Sequence, residues 1–95
     1  MNAAGHGRTE FRLYIAGTSA RSSFAISNIR DICDRHLKDH YDLEVIDIYQ
    51  QPELAEAENI VAAPTLIRRL PPPTRRVVGD MADKERVILM LDMGL

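Results

Sequence analysis

The sequence predicts a single α/β domain in the order β-α-β-α-β-β-α. Three observations lead to that class. Apolar residues Phe11, Leu13 and Ile15 alternate with Arg12, Tyr14 and Ala16, the two-residue period of a strand. A spacing of three and four then runs through Ile26, Ile29, Cys33 and Leu37, the period of one helical face. Two short β-branched or apolar runs flank the consecutive prolines Pro71, Pro72 and Pro73, which can neither continue a helix nor donate to a sheet ladder. The chain has 95 residues, 45% of them hydrophobic and 27% charged, enough for one core and not for two.

Met1 to Thr9 holds Gly5 and Gly7 and no apolar pattern. It is assigned as a flexible tail, which leaves residues 10–95 as the domain. The first strand ends at Gly17, and Ser19 or Ser22 caps the helix behind it. Leu43 to Ile48 (LEVIDI) is a second strand, expected in the middle of the sheet because both of its faces are largely apolar. A strand, a long helix and a strand imply a right-handed crossover with parallel pairing.

The second half is harder to assign. Pro52 to Glu58 places proline at a helix start with good helix formers behind it. Thr65–Leu70 and Arg75–Val78 read as a connected strand pair. Asp80 is the expected cap of a last helix, with Asp83 in its first turn and Lys84, Val87, Ile88 and Leu91 on one face. Val87 to Leu91 (VILML) would serve almost as well as a buried strand, and Ile60 to Ala63 is indecisive. The ambiguity is confined to residues after about Gln50. The favoured order is that of thioredoxin-like folds.

Composition excludes several function classes. A net charge of −2 offers no general attraction to nucleic acid or to an anionic membrane, and three tyrosines, two phenylalanines and no tryptophan provide little for base stacking. One cysteine rules out an intrachain disulfide framework and fits a reducing compartment. The N-terminus has no apolar leader segment, so a cytoplasmic location is expected.

In a thioredoxin-like fold the redox dithiol belongs at the start of the first helix. Ser19 and Ser22 stand there at Cys-x-x-Cys spacing, and serine cannot form the thiolate that exchange requires. Pro64 before Thr65 matches the place of a cis proline in such folds, with an ordinary trans turn as the alternative. Cys33, on the apolar stripe, reads as a small buried hydrophobe, and Cys33 with His36 supplies too few ligands for a metal. No phosphate loop or hydrolase motif is present, so neither catalytic residues nor cofactors are expected. Arg68, Arg69, Arg75 and Arg76 crowd around the proline corner as a solubilising surface or as a docking patch, arginine being enriched in interface hot spots. Acidic residues elsewhere on the same molecule would also allow self-association between opposite patches, to a dimer or tetramer.

From about Phe11 to Met93 the chain resembles the KaiB family of circadian-clock proteins. The resemblance is carried by Leu13-Tyr14-Ile15-Ala16-Gly17, Val45-Ile46-Asp47-Ile48, Pro52-Glu53-Leu54-Ala55-Glu56 and Ala63-Pro64-Thr65-Leu66, then by Leu70-Pro71-Pro72-Pro73, the run Arg75 to Asp80, Asp83-Lys84-Glu85 and Leu91-Asp92. It implies a non-enzymatic regulator that binds a KaiC-type ATPase ring, with KaiA or a competing histidine kinase as further partners. It also implies a metamorphic domain whose C-terminal half has a second, ground-state packing. Arg68 and Arg76 stand at basic family positions, and Glu58 at an acidic one in the segment that meets KaiC, with Asn59 in place of the usual lysine. Pro64, Gly79 and Asp80 are the expected switch positions. The alternatives are a stress-related interaction module without clock function and a thioredoxin-type redox protein.

Overall fold

The structure is a computed structural model that describes residues 8–79 and 81–91. Its elements are β1 (Thr9–Ile15), α1 (Ala20–His36), β2 (Tyr41–Asp47), α2 (Pro52–Ala57), β3 (Thr65–Leu70), β4 (Arg75–Val78) and α3 (Lys84–Leu91). Their order is the expected β-α-β-α-β-β-α. One four-stranded sheet runs β2-β1-β3-β4, with β1 parallel to β2 and antiparallel to β3, and β3 antiparallel to β4.

The two sheet faces follow from strand alternation. Phe11, Leu13 and Ile15 of β1 point to one face with Leu66 and Val77, where Ala25, Ile29, Ile32 and Cys33 of α1 and Val87 and Leu91 of α3 close the main core. Each large side chain buried there stabilises the fold by roughly 1.5–3 kcal/mol. The opposite face is smaller: Tyr14, Ile46 and Ile67 meet Ala55 of α2, with Leu54 and Ile60 at the margin.

Ser19 is the cap of α1, its hydroxyl accepting from the Ser22 N–H at 3.2 Å. The buried stripe of α1 is Ser22, Ala25, Ile29, Ile32 and Cys33, so Ile26 and Leu37, expected on it, lie at its edge and are only partly buried. Helix α3 starts at Lys84, and its cap is Asp83, whose carboxylate accepts from the Arg86 N–H at 3.1 Å. Asp80, the expected cap, lies outside the described residues.

One expectation needs correction. Strand β2 is at the edge of the sheet and not in its middle. Its run LEVIDI is apolar on both faces because α1 covers one side and the α2 cluster the other, even at the edge. Ion pairs tie this strand to β1 and the residue just ahead of it, Arg8 with Asp42 at 2.7 Å and Arg12 with Glu44 at 3.1 Å. Thr9 already belongs to β1. Thr9 pairs with Tyr41 and its N–H donates to the His40 carbonyl at 3.0 Å, while Arg8 donates to the Asp39 and Tyr41 carbonyls.

Candidate functional site

The exposed polar cluster with the most convergent geometry surrounds the end of α2. Glu58 is the C-cap of this helix, and Asn59 follows with φ +57°, a left-handed conformation that asparagine tolerates better than most residues. The Asn59 N–H donates to the Glu56 carbonyl at 3.1 Å and the Ile60 N–H to the Ala55 carbonyl at 2.9 Å, the paired bonds of a Schellman ending. Those bonds fix Glu58 over the sheet.

Three arginines reach it from three strands. Arg12 of β1 donates from Nη1 to Glu58 Oε1 at 3.1 Å and from Nε to Glu44 Oε1 at 3.1 Å. Arg69 of β3 lies 3.9 Å from both Glu58 and Glu10. Arg76 of β4 donates from Nη2 to the Glu58 backbone carbonyl. Strand register explains the convergence: Glu44, Arg12, Ile67 and Arg76 are successive partners across all four strands and therefore face the same way. The end of a helix is the negative pole of its dipole, so a carboxylate, an unpaired carbonyl and that pole all favour guanidinium here.

Burial divides the predicted docking residues. Arg76 and Arg75 are exposed and Arg69 is partly so. Arg68 differs, because alternation turns it to the main-core face, where it is 4% exposed. It donates to the carbonyls of Leu91 at 2.6 Å and Pro73 at 2.8 Å, so in this fold it braces the interior instead of joining the surface patch. Glu58, Asn59, Arg69 and Arg76 come together, with Arg75 beside Arg76 on β4. Arg12 was missed by sequence reasoning. Its signal was a charge set between the apolar residues Phe11 and Leu13, which demands a partner.

Two of the switch candidates meet directly. Gly79, at φ +100°, donates its N–H to the Pro64 carbonyl at 2.9 Å, tying the end of β4 to the start of β3. The Ala63–Pro64 peptide is cis, the isomer that its spacing suggests; Leu70–Pro71 and Pro72–Pro73 are cis as well.

At the dithiol position, Ser19 Oγ donates to Ser22 Oγ at 3.0 Å and Ser22 Oγ to the Ala16 carbonyl at 3.3 Å, a chain of hydroxyls that caps a helix. Cys33 is 1% exposed, and burial, assisted by the Asp34 charge, pushes its thiol up to about 12, far from a reactive thiolate. Among the described residues no His, Cys, Asp and Glu side chains are grouped to hold a metal ion, and no helix is long and apolar enough to cross a membrane.

Comparison with known proteins bears on the family and the fold. The family profile described as the KaiB domain matches residues 12–93. The chain is 51% identical over 86 residues to the circadian clock protein KaiB3 of a Synechocystis strain, covering 90% of this chain and 84% of that protein. Among solved structures it is similar to the N-terminal domain of SasA from Synechococcus elongatus, with a TM-score of 0.70 at 21% identity over 90% of this chain and 84% of that one. It is also similar to the germline-specific thioredoxin Deadhead of Drosophila melanogaster, with a TM-score of 0.73 at 15% identity over 97% and 86% of the two chains. At those identities the structural matches establish a thioredoxin-like fold.

Proposed function

The chain belongs to the KaiB family, and on that premise we propose that it is a non-enzymatic, cytoplasmic circadian-clock regulator that docks on a KaiC-type ATPase ring in its thioredoxin-like form. The observation that carries this reading is the convergence of Arg12, Arg69 and Arg76 on Glu58. The network leaves Arg69 and Arg76 part of their surface in solvent and holds them in place before any partner arrives. A prearranged guanidinium loses less side-chain freedom on meeting a carboxylate or carbonyl of a partner. Val61, 91% exposed and two residues beyond Asn59, gives the patch an apolar edge of the kind a protein interface buries.

A second packing of the C-terminal half is part of the same proposal. Five consecutive apolar residues occupy α3, yet Leu89 and Met90 face solvent. A helix apolar on all sides is incompletely satisfied by a fold that buries one of them, and the same run would suit a strand. Two packings of one sequence need differ by only a few kcal/mol.

Size-exclusion chromatography with the cognate KaiC-type ATPase, phosphorylated and unphosphorylated, tests the docking. The chain should co-elute with one phosphorylation state in preference to the other. Arg76→Glu and Arg69→Glu should each weaken that association about tenfold, an effect on the order of 1.4 kcal/mol and above that of an ordinary surface change. Unaltered co-elution in both variants would return the cluster to a solubilising role.

A further inference from the structure

The last helix is held differently from the first. α3 has eight residues, a length at which an isolated helix is marginal in water. Only Val87 and Leu91 of its apolar run are fully buried, so its grip on the core is narrow. Polar contacts fasten both of its ends. Ahead of the first turn, Asn28 Nδ2 donates to the Met81 carbonyl at 3.0 Å; within that turn, Lys84 Nζ donates to Asp31 Oδ2 at 2.6 Å. Both anchors stand on α1.

At the other end stands Arg68. Its Nη1 donates to the Leu91 carbonyl at 2.6 Å and its Nη2 to the Pro73 carbonyl at 2.8 Å. One planar fork thus joins the last turn of α3 to the corner between β3 and β4. Carbonyls at a helix C-terminus lack intrahelical partners and carry the negative end of the dipole, so guanidinium is the favoured group to meet them. We propose that Arg68 is a latch: it fastens α3 over Val77 and Met81, and its release lets α3 leave the sheet as a unit while β1, α1 and β2 stay folded. Segments with few buried side chains open first, below global unfolding. Among them, α3 is the one whose departure takes the Leu91 carbonyl away from a buried cation, Arg68. A lysine in the same place is a poor substitute, since an ammonium on a flexible stem does not present two fixed, parallel donors.

Hydrogen–deuterium exchange of the whole chain, alone in solution, reads the latch without any partner, so its outcome is separate from that of the ATPase experiment. Arg68→Met should speed exchange at residues 84–91 by about tenfold or more, given that bonds from a charged donor are among the stronger ones, and leave residues 20–36 unchanged. Arg68→Lys should fall between Arg68→Met and the unaltered protein, and Lys84→Met should loosen the first turn more than the last. Equal acceleration in α1 and α3 would make Arg68 a brace for the whole domain and overturn the proposal, as would an unchanged α3. Should Arg68→Met not fold, the same two patterns in Arg68→Lys decide.

Discussion

Residues 8–48 and residues 50–91 solve the problem of folding in different ways. In the first region a 17-residue helix, capped at its start, lays five buried positions on two parallel strands. In the second, no element exceeds eight residues, and much of the organisation comes from side chains that reach to carbonyls: Arg76 to Glu58, Arg68 to Leu91 and Pro73, Asn28 to Met81. Apolar burial is insensitive to small shifts, whereas a hydrogen bond is lost over less than an ångström. A region that depends on such bonds in addition to its buried side chains has one arrangement in which they are all made, and it loses several together when it leaves that arrangement.

The sharpest way to break this comparison is to make one substitution in both regions. Leu13→Ala removes a fully buried side chain at the centre of the sheet and should cost about 4 kcal/mol of global stability in urea melts. Leu91→Ala, equally buried but on a helix that can shift to fill the space, should cost about 2 kcal/mol. Equal losses with equal denaturant slopes would mean that the two regions behave as one.

Gly79→Ala is expected to act next most strongly. Nothing lies within 4 Å of the added Cβ, so the effect is one of backbone: a residue with a side chain is strained at φ +100°. Roughly 1 kcal/mol against this packing would change the ratio of two forms about fivefold. NMR should then reveal a second set of amide peaks for residues 50–91 and a single set for residues 9–48. Peak doubling spread over both regions would deny them their independence.

The smallest effect is set by acid. A hydrogen bond from Lys84, helped by Arg35, holds the Asp31 carboxyl below its ordinary value of 3.8. A depressed folded-state value contributes stability above the unfolded-state value, and that contribution disappears as the pH falls through the folded one. Because the pair is open to solvent, the effect is modest and weakens further with salt. Exchange at the first turn of α3 should therefore rise below about pH 3.8, and Asp31→Asn should reproduce that rise at neutral pH and remove its pH dependence.

The legibility of the sequence divides along the same line. Alternation in Phe11–Ile15 and the three-and-four spacing through α1 report burial by neighbouring segments, and burial has a period. The bounds of β3 and β4 were legible for another reason: prolines flank β3 and precede β4, and Gly79 follows it. What remained hidden depended on partners remote in sequence. The edge position of β2 cannot be read from LEVIDI, since an edge strand covered on both faces has the same apolar pattern as a central one. The inward turn of Arg68 follows from alternation along β3, but only once its neighbours Ile67 and Arg69 are assigned to the α2 face. Arg12 was visible as a charge between Phe11 and Leu13, although its partners Glu44 and Glu58 were not.

The position of β1 has a consequence for how the protein is made. Of the four described strands it is the first to be synthesised, and it ends in the middle of the sheet, with a parallel neighbour on one side and an antiparallel one on the other. As the nascent chain lengthens, β1, α1 and β2 can assemble while the other edge of β1 still awaits β3. At about 5–20 residues per second, translation from Asp47 to Leu70 takes on the order of seconds. Throughout that interval a row of unpaired N–H and C=O groups lies open beside Phe11, Leu13 and Tyr14, a template for whatever strand arrives first. On a crowded polysome, that strand can belong to the neighbouring chain.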